Sequence, residues 1–344
     1  MDKILSIIIP TYNMENYLDR CLSSLVIGGD LLKEVEVLVI NDGSRDRSLE
    51  IAKDFESRYP MIFRIIDKEN GNYGSCVNRG LKEAVGKYIK VLDADDYFDK
   101  DCLATFLSFL KVHDADLFIT DFQQVYNNGE VVNRFTHKIP MKKELRLIDH
   151  YLSDDFKYLQ MHAVTYKRQN LIDIAYKQTE GISYTDAQWV FLPMSTVKVF
   201  YYCPIVLYNY LIGREGQTMD ESVYAKSIGQ LMKMTLDRIV MYEDYGLRDS
   251  VCEAYFSAKL TETLKYIYRF SLVVNNDKLQ DLKAFDEEFR NRSMYLYERS
   301  NDVVLFDKMR FKLIKYWRSH NYKTLPFCLK IVFLFLYKLS KKNK

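Results

Sequence analysis

Three carboxylates follow one apolar run within four residues, and this stretch constrains the chain more than any other. Residues 87–92 have the pattern of a β-strand, and Asp93, Asp95 and Asp96 come directly after it. Alternation places Asp93 and Asp95 on one side of the chain. Like charges this close raise each other's pKa, so the group suits a divalent hard cation that takes oxygen ligands. The alternative is an acidic turn that caps the helix expected from Lys100 onward.

The first third of the chain alternates between strand and helix patterns. Apolar strands are predicted at residues 4–9, 35–40, 62–66 and 87–92. Helices are predicted after Asn13, a candidate N-cap, and at residues 48–55 and 75–85. Continuous apolar strands separated by helices indicate an α/β fold with a mostly parallel open sheet flanked by helices. In such sheets, ligands bind beyond the carboxyl ends of the strands.

Polar residues also follow the first two predicted strands. Pro10, Thr11 and Tyr12 follow the first, and a turn at residues 41–44 follows the second. Tyr12 offers a ring on which a base can stack, and Asp42 can accept hydrogen bonds from a pyrimidine or a ribose. The alternative for residues 41–44 is a simple turn and helix cap.

A glycine-rich loop at residues 71–75 precedes the third predicted helix. Its glycines, Gly71 and Gly74, would let a phosphate or a ribose approach backbone amides near the helix start. The loop lacks both the G-x-G-x-x-G spacing and the G-x-x-x-x-G-K-[ST] phosphate loop. A nicotinamide-dependent enzyme or an ordinary kinase is therefore not favoured.

The N-terminal half resembles family 2 glycosyltransferases with a GT-A fold, and the matching segments are residues 6–13, 39–46, 71–81 and 93–96. The resemblance implies that Asp95, with Asp93, binds Mg²⁺ or Mn²⁺ that bridges the diphosphate of a nucleotide sugar. The family's common A-R-N in the third helix is Cys76-Val77-Asn78 here, so Asn78 matches and the arginine does not. The implied nucleotide-sugar site comprises Pro10, Thr11, Tyr12, Asp42, Gly74, Asn78, Asp93, Ala94 and Arg214.

A second acidic position lies far downstream. Residues 180–191 are similar to the family's G-x-x-x-E-D-x-x-F element, with Thr185 in place of the glutamate and Asp186 in the aspartate position. The resemblance implies that Asp186 is the general base, because a sugar hydroxyl is a poor nucleophile until a carboxylate accepts its proton. The alternative is that Thr185 or Asp186 only caps a short helix.

Arg214 lies in a segment, residues 206–218, that resembles the family's Y-x-Y-x-x-R-x-G-S element, with Gln217 in place of the serine. An arginine there would pair with phosphate oxygens in a bidentate manner. A simple surface arginine is the alternative.

The length of 344 residues indicates about two domains. We expect a catalytic domain at 1–220, with a nucleotide-sugar half at 1–115 and an acceptor half at 116–220. A helical domain at 221–320 and a basic amphipathic tail at 321–344 follow. The net charge of +2 does not favour nucleic acid as a partner. The six cysteines form no CxxC pair, which favours reduced thiols in the cytoplasm. The five histidines have no metal-ligand spacing.

The tail combines an apolar run with lysines and lacks acidic residues after Asn321. Residues 325–339 would extend about 22 Å as a helix, which is short of a bilayer core. On a helical wheel, Lys330, Lys338 and Lys341 fall within about 80°, opposite a face of Ile331, Phe333, Leu334 and Phe335. This pattern favours membrane-surface contact through residues 325–342, and a helix that docks on the rest of the protein is the alternative.

These observations predict an inverting glycosyltransferase at the inner face of the cell membrane or in the cytoplasm. It would move a sugar from a nucleoside-diphosphate donor, with uridine implied by the resemblance, to a hydroxyl of a glycan or lipid-linked acceptor. One alternative is a non-catalytic protein that binds a nucleotide sugar or a glycan. Another is a nucleotidyltransferase on a similar sheet, although the glycine-rich loop with its basic residue is missing.

Overall fold

The computed structural model describes residues 3–140, 143–214, 221–306 and 310–342, without the side chains of residues 30, 32, 221–226, 276 and 340–342. The chain forms two compact units, Met1–Val223 and Tyr224–Lys344. The functional subdivision expected from the sequence stays a prediction. The α/β class with a helical C-terminal region is confirmed.

The first unit is built on one sheet of ten strands, in the order β3-β2-β1-β4-β9-β6-β10-β5, with β7 on β6 and β8 on β10. The strands are β1 (Leu5–Thr11), β2 (Val35–Asn41), β3 (Phe63–Asp67), β4 (Tyr88–Val91), β5 (Tyr97–Phe98), β6 (Leu117–Val125), β7 (Val131–Phe135), β8 (Glu144–Arg146), β9 (Val164–Lys167) and β10 (Val199–Leu211). Strands β1 to β4 are parallel, as predicted. Strand β9 runs antiparallel to both β4 and β6, so the downstream half of the sheet is mixed.

Helices cover the sheet and form the second unit. In the first unit they are α1 (Leu18–Ser23), α2 (Ser48–Arg58), α3 (Asn72–Glu83), α4 (Lys100–Val112), α5 (Asp154–Lys157), α6 (Arg168–Asp173) and α7 (Asp186–Trp189). The later helices are α8 (Glu221–Asp244), α9 (Glu253–Arg269), α10 (Leu279–Arg292), α11 (Met294–Ser300), α12 (Leu313–Ser319) and α13 (Phe327–Lys342).

Helix α3 lies unusually close to strand β1. A Cβ atom added to Gly80 would lie 2.4 Å from Cγ2 of Ile8, a fully buried side chain. Only a glycine fits at this contact, because real Cβ atoms do not approach other heavy atoms so closely. The contact sets the distance between α3 and the sheet near the carboxyl ends of the parallel strands, where the predicted site residues lie.

The predicted cap at Asn13 is wrong. Helix α1 begins at Leu18, and Asn13 has a left-handed backbone with φ +53°. Its Oδ1 accepts a hydrogen bond from the backbone N–H of Arg45 at 2.8 Å, and its own N–H donates to Oγ of Ser44 at 3.1 Å. Asn13 therefore connects the loops that follow β1 and β2, because these loops meet at one edge of the sheet.

A buried ion pair organises the second unit. Asp286 is fully buried, and Arg318 donates to its Oδ1 from Nη2 at 2.6 Å and to Oδ2 from Nε at 3.1 Å. The Arg318 guanidinium also lies 3.6 Å from the ring centroid of Tyr297. Removing one partner of such a pair would leave a buried charge without compensation, so this network requires both residues.

Helix α13 both packs and exposes apolar side chains. Phe333 is buried and stacks on Phe306 with ring centroids 5.2 Å apart, while Phe327, Ile331 and Phe335 are 80%, 51% and 61% exposed. The prediction that Ile331, Phe333 and Phe335 share one face is wrong, because Phe333 points into the unit and the other two point outward. In the described part of the chain, no helix is both long and apolar enough to cross a membrane.

The Gly80–Ile8 contact gives a stability prediction. We expect Gly80→Ala to lower the free energy of unfolding of the first unit by about 1–3 kcal/mol, because the new methyl group overpacks the interface between α3 and β1. Gly28→Ala is the matched control, since no heavy atom lies within 4 Å of its added Cβ. Hydrogen exchange of the β1 and β2 amides in mild denaturant measures the opening of this unit. Equal protection in both variants would contradict the prediction.

Candidate functional site

The acidic cluster lies in the link between β4 and β5, at the carboxyl end of β4. Asp96 is fully buried, and its Oδ2 and Oδ1 accept hydrogen bonds from Oη of Tyr208 at 2.6 Å and from the Leu211 N–H at 2.7 Å. Burial, followed by the charges of Asp95 and Asp93, raises the pKa of Asp96 well above its usual value. Asp96 therefore anchors the cluster to strand β10.

Asp93 is held differently. Its Oδ1 accepts a hydrogen bond of 2.7 Å from Oη of Tyr73, at the start of α3. Burial and the neighbouring charge of Asp95 raise the pKa of Asp93 to about 7. A cation placed beside Asp93 would lower this pKa and favour the charged carboxylate.

Asp95 and Arg214, two predicted site residues, form an ion pair. Nε of Arg214 lies 2.6 Å from Oδ2 of Asp95, and the side chains are 20% and 10% exposed. The guanidinium also lies 5.8 Å from the ring centroid of Tyr17. A positive group therefore already occupies the position beside Asp95. The remainder of the predicted arginine motif, including Gln217, lies outside the described residues.

Carboxylate oxygens such as those of Asp93 and Asp95 are the ligands that hard divalent cations prefer. A second group, Asp93, Asp96 and His162, has one potential ligand atom from each residue within 4.8 Å of the others. That group is a poorer cation site, because both oxygens of Asp96 already accept hydrogen bonds and Nζ of the buried Lys90 donates to the His162 carbonyl at 2.9 Å. Burial and the charge of Lys90 lower the pKa of His162 to about 3, and its ring stacks on Tyr210 at 4.6 Å. His162 is best described as a neutral core residue.

The strand ends β1 and β2 supply the other side of the site. Asp42 is 2% exposed, and its Oδ1 lies 2.5 Å from Nζ of Lys68 and accepts a 2.9 Å hydrogen bond from the Gly71 N–H. Lys68 also donates to Oγ of Ser75 at 2.8 Å. Tyr12 is 43% exposed, as a stacking residue must be. Pro10, Thr11 and Ala94 are buried beneath this surface.

Asn78 and Gly74 contact residues 178–180 of the chain. Nδ2 of Asn78 donates to the Gln178 carbonyl and to Oε1 of Glu180, both at 2.9 Å. A Cβ added to Gly74 would lie 2.0 Å from the carbonyl oxygen of Thr179. Both residues thus face the segment before Asp186, and their predicted role in binding the nucleotide sugar stays a prediction.

Asp186 is exposed and is the first residue of helix α7. Thr185 makes no side-chain cap hydrogen bond there. Burial is the main cause of the raised pKa values of Asp93 and Tyr73, and the charge of Asp186 also contributes to both. The start of helix α3 contacts both acidic positions, which are 93 residues apart in the sequence: Tyr73 donates to Asp93, and Oδ1 of Asn72 accepts from Oγ of Ser183, three residues before Asp186.

Sequence reasoning did not select Tyr73, Lys68 or Tyr208. The alternation of Tyr208 and Tyr210 in a strand could have indicated a shared face towards the acidic cluster. Tyr73 lies in the segment predicted as a glycine-rich loop, and no local feature apart from its phenol group marks it as a site residue. No local pattern marks Lys68, because its contact with Asp42 joins two different strand ends.

Comparison with known proteins agrees with this geometry. The model of the family described as glycosyl transferase family 2 matches residues 6–175. Glycosyltransferase GlyA of Streptococcus pneumoniae is 33% identical over 130 residues, which are 38% of this chain and 18% of GlyA. Poly(ribitol-phosphate) beta-N-acetylglucosaminyltransferase TarS of Staphylococcus aureus is 24% identical over 327 residues, which are 93% of this chain and 54% of TarS.

A solved structure shares the fold. The crystal structure of S. aureus TarS 1–349 in complex with UDP-GlcNAc superposes with a TM-score of 0.69 and 22% identity, over 98% of this chain and 92% of that one. The parallel strand ends, the acidic link after β4 and the matched residues lead to one conclusion. Through residues 6–175, this chain belongs to glycosyl transferase family 2.

Proposed function

We propose that this protein is an inverting glycosyltransferase that moves a sugar from a uridine-diphosphate donor to a hydroxyl of a glycan or lipid-linked acceptor. The observation that carries the proposal is that the start of helix α3 contacts both acidic positions, beside the Asp95–Arg214 ion pair. Tyr73 donates to Asp93 at 2.7 Å, and Asn72 accepts from Ser183, three residues before Asp186, at 3.2 Å. The UDP-GlcNAc bound to TarS supports a uridine-diphosphate donor. Tyr12 and Asp42 would then bind the base and the ribose.

Asp186 would act as the general base. Its carboxylate would accept the proton of the acceptor hydroxyl while that oxygen attacks the anomeric carbon from the side opposite the diphosphate. The bond between the anomeric carbon and the diphosphate oxygen would break, and the configuration would invert. The exposure of Asp186 suits this role, since an acceptor hydroxyl must reach it.

Arg214 and the acidic pair would serve the leaving group. Arg214 would exchange Asp95 for the phosphate oxygens, where a guanidinium can pair in a bidentate manner. Asp95 and Asp93 would hold Mg²⁺ or Mn²⁺. When bound, the cation would neutralise the negative charge that develops on the departing diphosphate.

Replacement of the base tests the mechanism. We expect Asp186→Asn to lower kcat for transfer at least 100-fold, because the amide cannot accept the proton, while the Kd for UDP stays within about twofold. Asp173→Asn, at an exposed acid on α6, is the matched control. Released UDP and glycosylated product are measured by chromatography, which also excludes transfer at phosphorus. Normal transfer by Asp186→Asn would refute the assignment.

The Asp95–Arg214 ion pair predicts opposite effects on two ligands. We expect Arg214→Ala to tighten binding of Mn²⁺ alone, because Asp95 loses its competing cation, and to weaken binding of UDP with Mn²⁺ about tenfold or more. We expect Asp95→Asn to weaken both. Isothermal titration calorimetry with Mn²⁺, and with UDP in the presence of Mn²⁺, separates these effects. Weaker binding of Mn²⁺ alone to Arg214→Ala would contradict the competition.

We also propose that α13 contacts an anionic membrane surface at the inner face of the cell membrane. The exposed apolar residues Phe327, Ile331 and Phe335 recur every four residues, so they form one stripe on the helix. The exposed Lys338 follows three residues after Phe335, and lysines near an anionic surface each contribute about 1 kcal/mol. Phe333 anchors the other side of the helix, so the stripe can meet lipid without unfolding of the unit.

Liposome flotation tests the membrane contact. We expect Phe327→Ser, Ile331→Ser and Phe335→Ser together to reduce recovery with phosphatidylglycerol vesicles about tenfold, because the buried apolar area on lipid is lost. The matched control replaces three exposed apolar residues elsewhere: Met61→Ser, Val85→Ser and Val112→Ser. Equal recovery of both triple variants would refute the contact of α13 with the membrane.

A further inference from the structure

We propose that helix α3 is the platform that positions the general base, and that Asn78 and Gly74 act there as positioning residues. The segment 178–186 ends at Asp186 and is called the base segment here. The inference rests on the proposed role of Asp186 and adds residues that act through it. It also gives Asn78 and Gly74 a role different from the nucleotide contact that the family resemblance implies.

The Asn78 side chain is committed to the base segment. Its Oδ1 accepts a hydrogen bond of 2.8 Å from the Gln178 N–H, while its Nδ2 donates to the Gln178 carbonyl and to Oε1 of Glu180. A side-chain amide has only two N–H donors, and both are used. Asn78 therefore has no donor left for a phosphate oxygen unless it releases the base segment.

Gly74 provides space for the same segment. The Thr179 carbonyl lies so close that an added Cβ would stand 2.0 Å from its oxygen and 2.9 Å from its carbon. The atoms in the way are backbone atoms, so no rotamer change could relieve the clash. Gly74 and Asn78 are four residues apart on α3 and therefore present one face of the helix to the base segment.

The loop that begins α3 extends this contact towards Asp186. The Gly181 N–H donates to the Gly71 carbonyl at 2.9 Å, and Oγ of Ser183 donates to Oδ1 of Asn72 at 3.2 Å. Contacts thus follow the base segment from residue 178 to residue 183. The opposite face of α3 is fixed on β1 through Gly80, so the platform itself is rigid.

Hydrogen bonds within the base segment and between it and helix α7 complete the support. Thr185 and Gln188 are fully buried; Oγ1 of Thr185 donates to Oε1 of Gln178 at 3.0 Å, and Oε1 of Gln188 accepts from the Thr179 N–H at 2.8 Å. These bonds connect both sides of Asp186 to the part of the segment that Asn78 holds. Thr185, which replaces the family's glutamate, therefore has a structural function in this chain.

The geometry assigns a catalytic consequence to these contacts. A base displaced by about 1 Å can lose about 100-fold in rate, although the substrate still binds. Thr185 and Gln188, on either side of Asp186, are hydrogen-bonded to Gln178 and Thr179, and Gln178 is held by Asn78. Loss of Asn78 should therefore reduce proton acceptance at Asp186 without removing a nucleotide contact.

The experiment separates positioning from binding. We expect Asn78→Ala and Gly74→Ala each to lower kcat for transfer about 10- to 100-fold, with the Kd for UDP in the presence of Mn²⁺ within about twofold of wild type. Asn170→Ala is the matched control, because Nδ2 of Asn170 also donates to a backbone carbonyl, that of Thr196. Thr185→Val should show the same loss of kcat, and Thr185→Ser, which keeps the hydroxyl, should recover most of it.

A second measurement does not depend on activity. We expect amide hydrogen exchange across residues 178–188 to be at least tenfold faster in Asn78→Ala than in Asn170→Ala. If no transfer by the wild-type protein is found, the proposed function fails. The amide hydrogen exchange and the Kd for UDP still test the platform in that case. Unchanged exchange, or a tenfold weaker Kd for UDP with unchanged kcat, would overturn the inference and make Asn78 a nucleotide ligand.

Discussion

The crowding of three carboxyl groups at the end of β4, two of which are buried, is the constraint on which the site depends. Each carboxyl group is stabilised by a different partner. Asp96 accepts hydrogen bonds from Tyr208 and the Leu211 N–H. Asp93 accepts a hydrogen bond from Tyr73, and Asp95 forms an ion pair with Arg214. These donors come from α3, from β10 and from the residues just beyond it. The acidic link therefore joins parts of the first unit that are far apart in the sequence, and its electrostatic requirement fixes their arrangement.

Helix α3 serves two functions through two faces. Gly80 brings one face against Ile8 of β1, and Gly74 brings the other against the Thr179 carbonyl. Both contacts exclude any larger side chain, so the helix acts as a spacer of fixed thickness between the sheet and the segment that ends at Asp186. Tyr73, in the first turn of the same helix, binds Asp93. One helix thus sets the relation between the two acidic positions.

The sequence predicts the elements of this fold better than their contacts. The apolar runs place β1 to β4 within one or two residues, since a fully buried strand has a distinct pattern. The antiparallel β9 was missed, because residues 164–167 are too short for alternation to be recognised. Asn13 has the composition of a cap, but its left-handed backbone serves a contact with Arg45 that only the folded sheet creates.

The site shows the same division between local and distant information. Motif spacing selected Asp93, Asp95 and Asp186, because their chemistry depends on residue type. Asn78 also matched a motif, yet its amide binds Gln178, 100 residues away, and no pattern within a window of α3 carries that information. A motif residue near a reaction centre can act on the substrate or on the segment that carries the base. The hydrogen bonds of its side chain distinguish the two cases. When both N–H donors of a side-chain amide are bonded to a protein segment, the residue positions that segment.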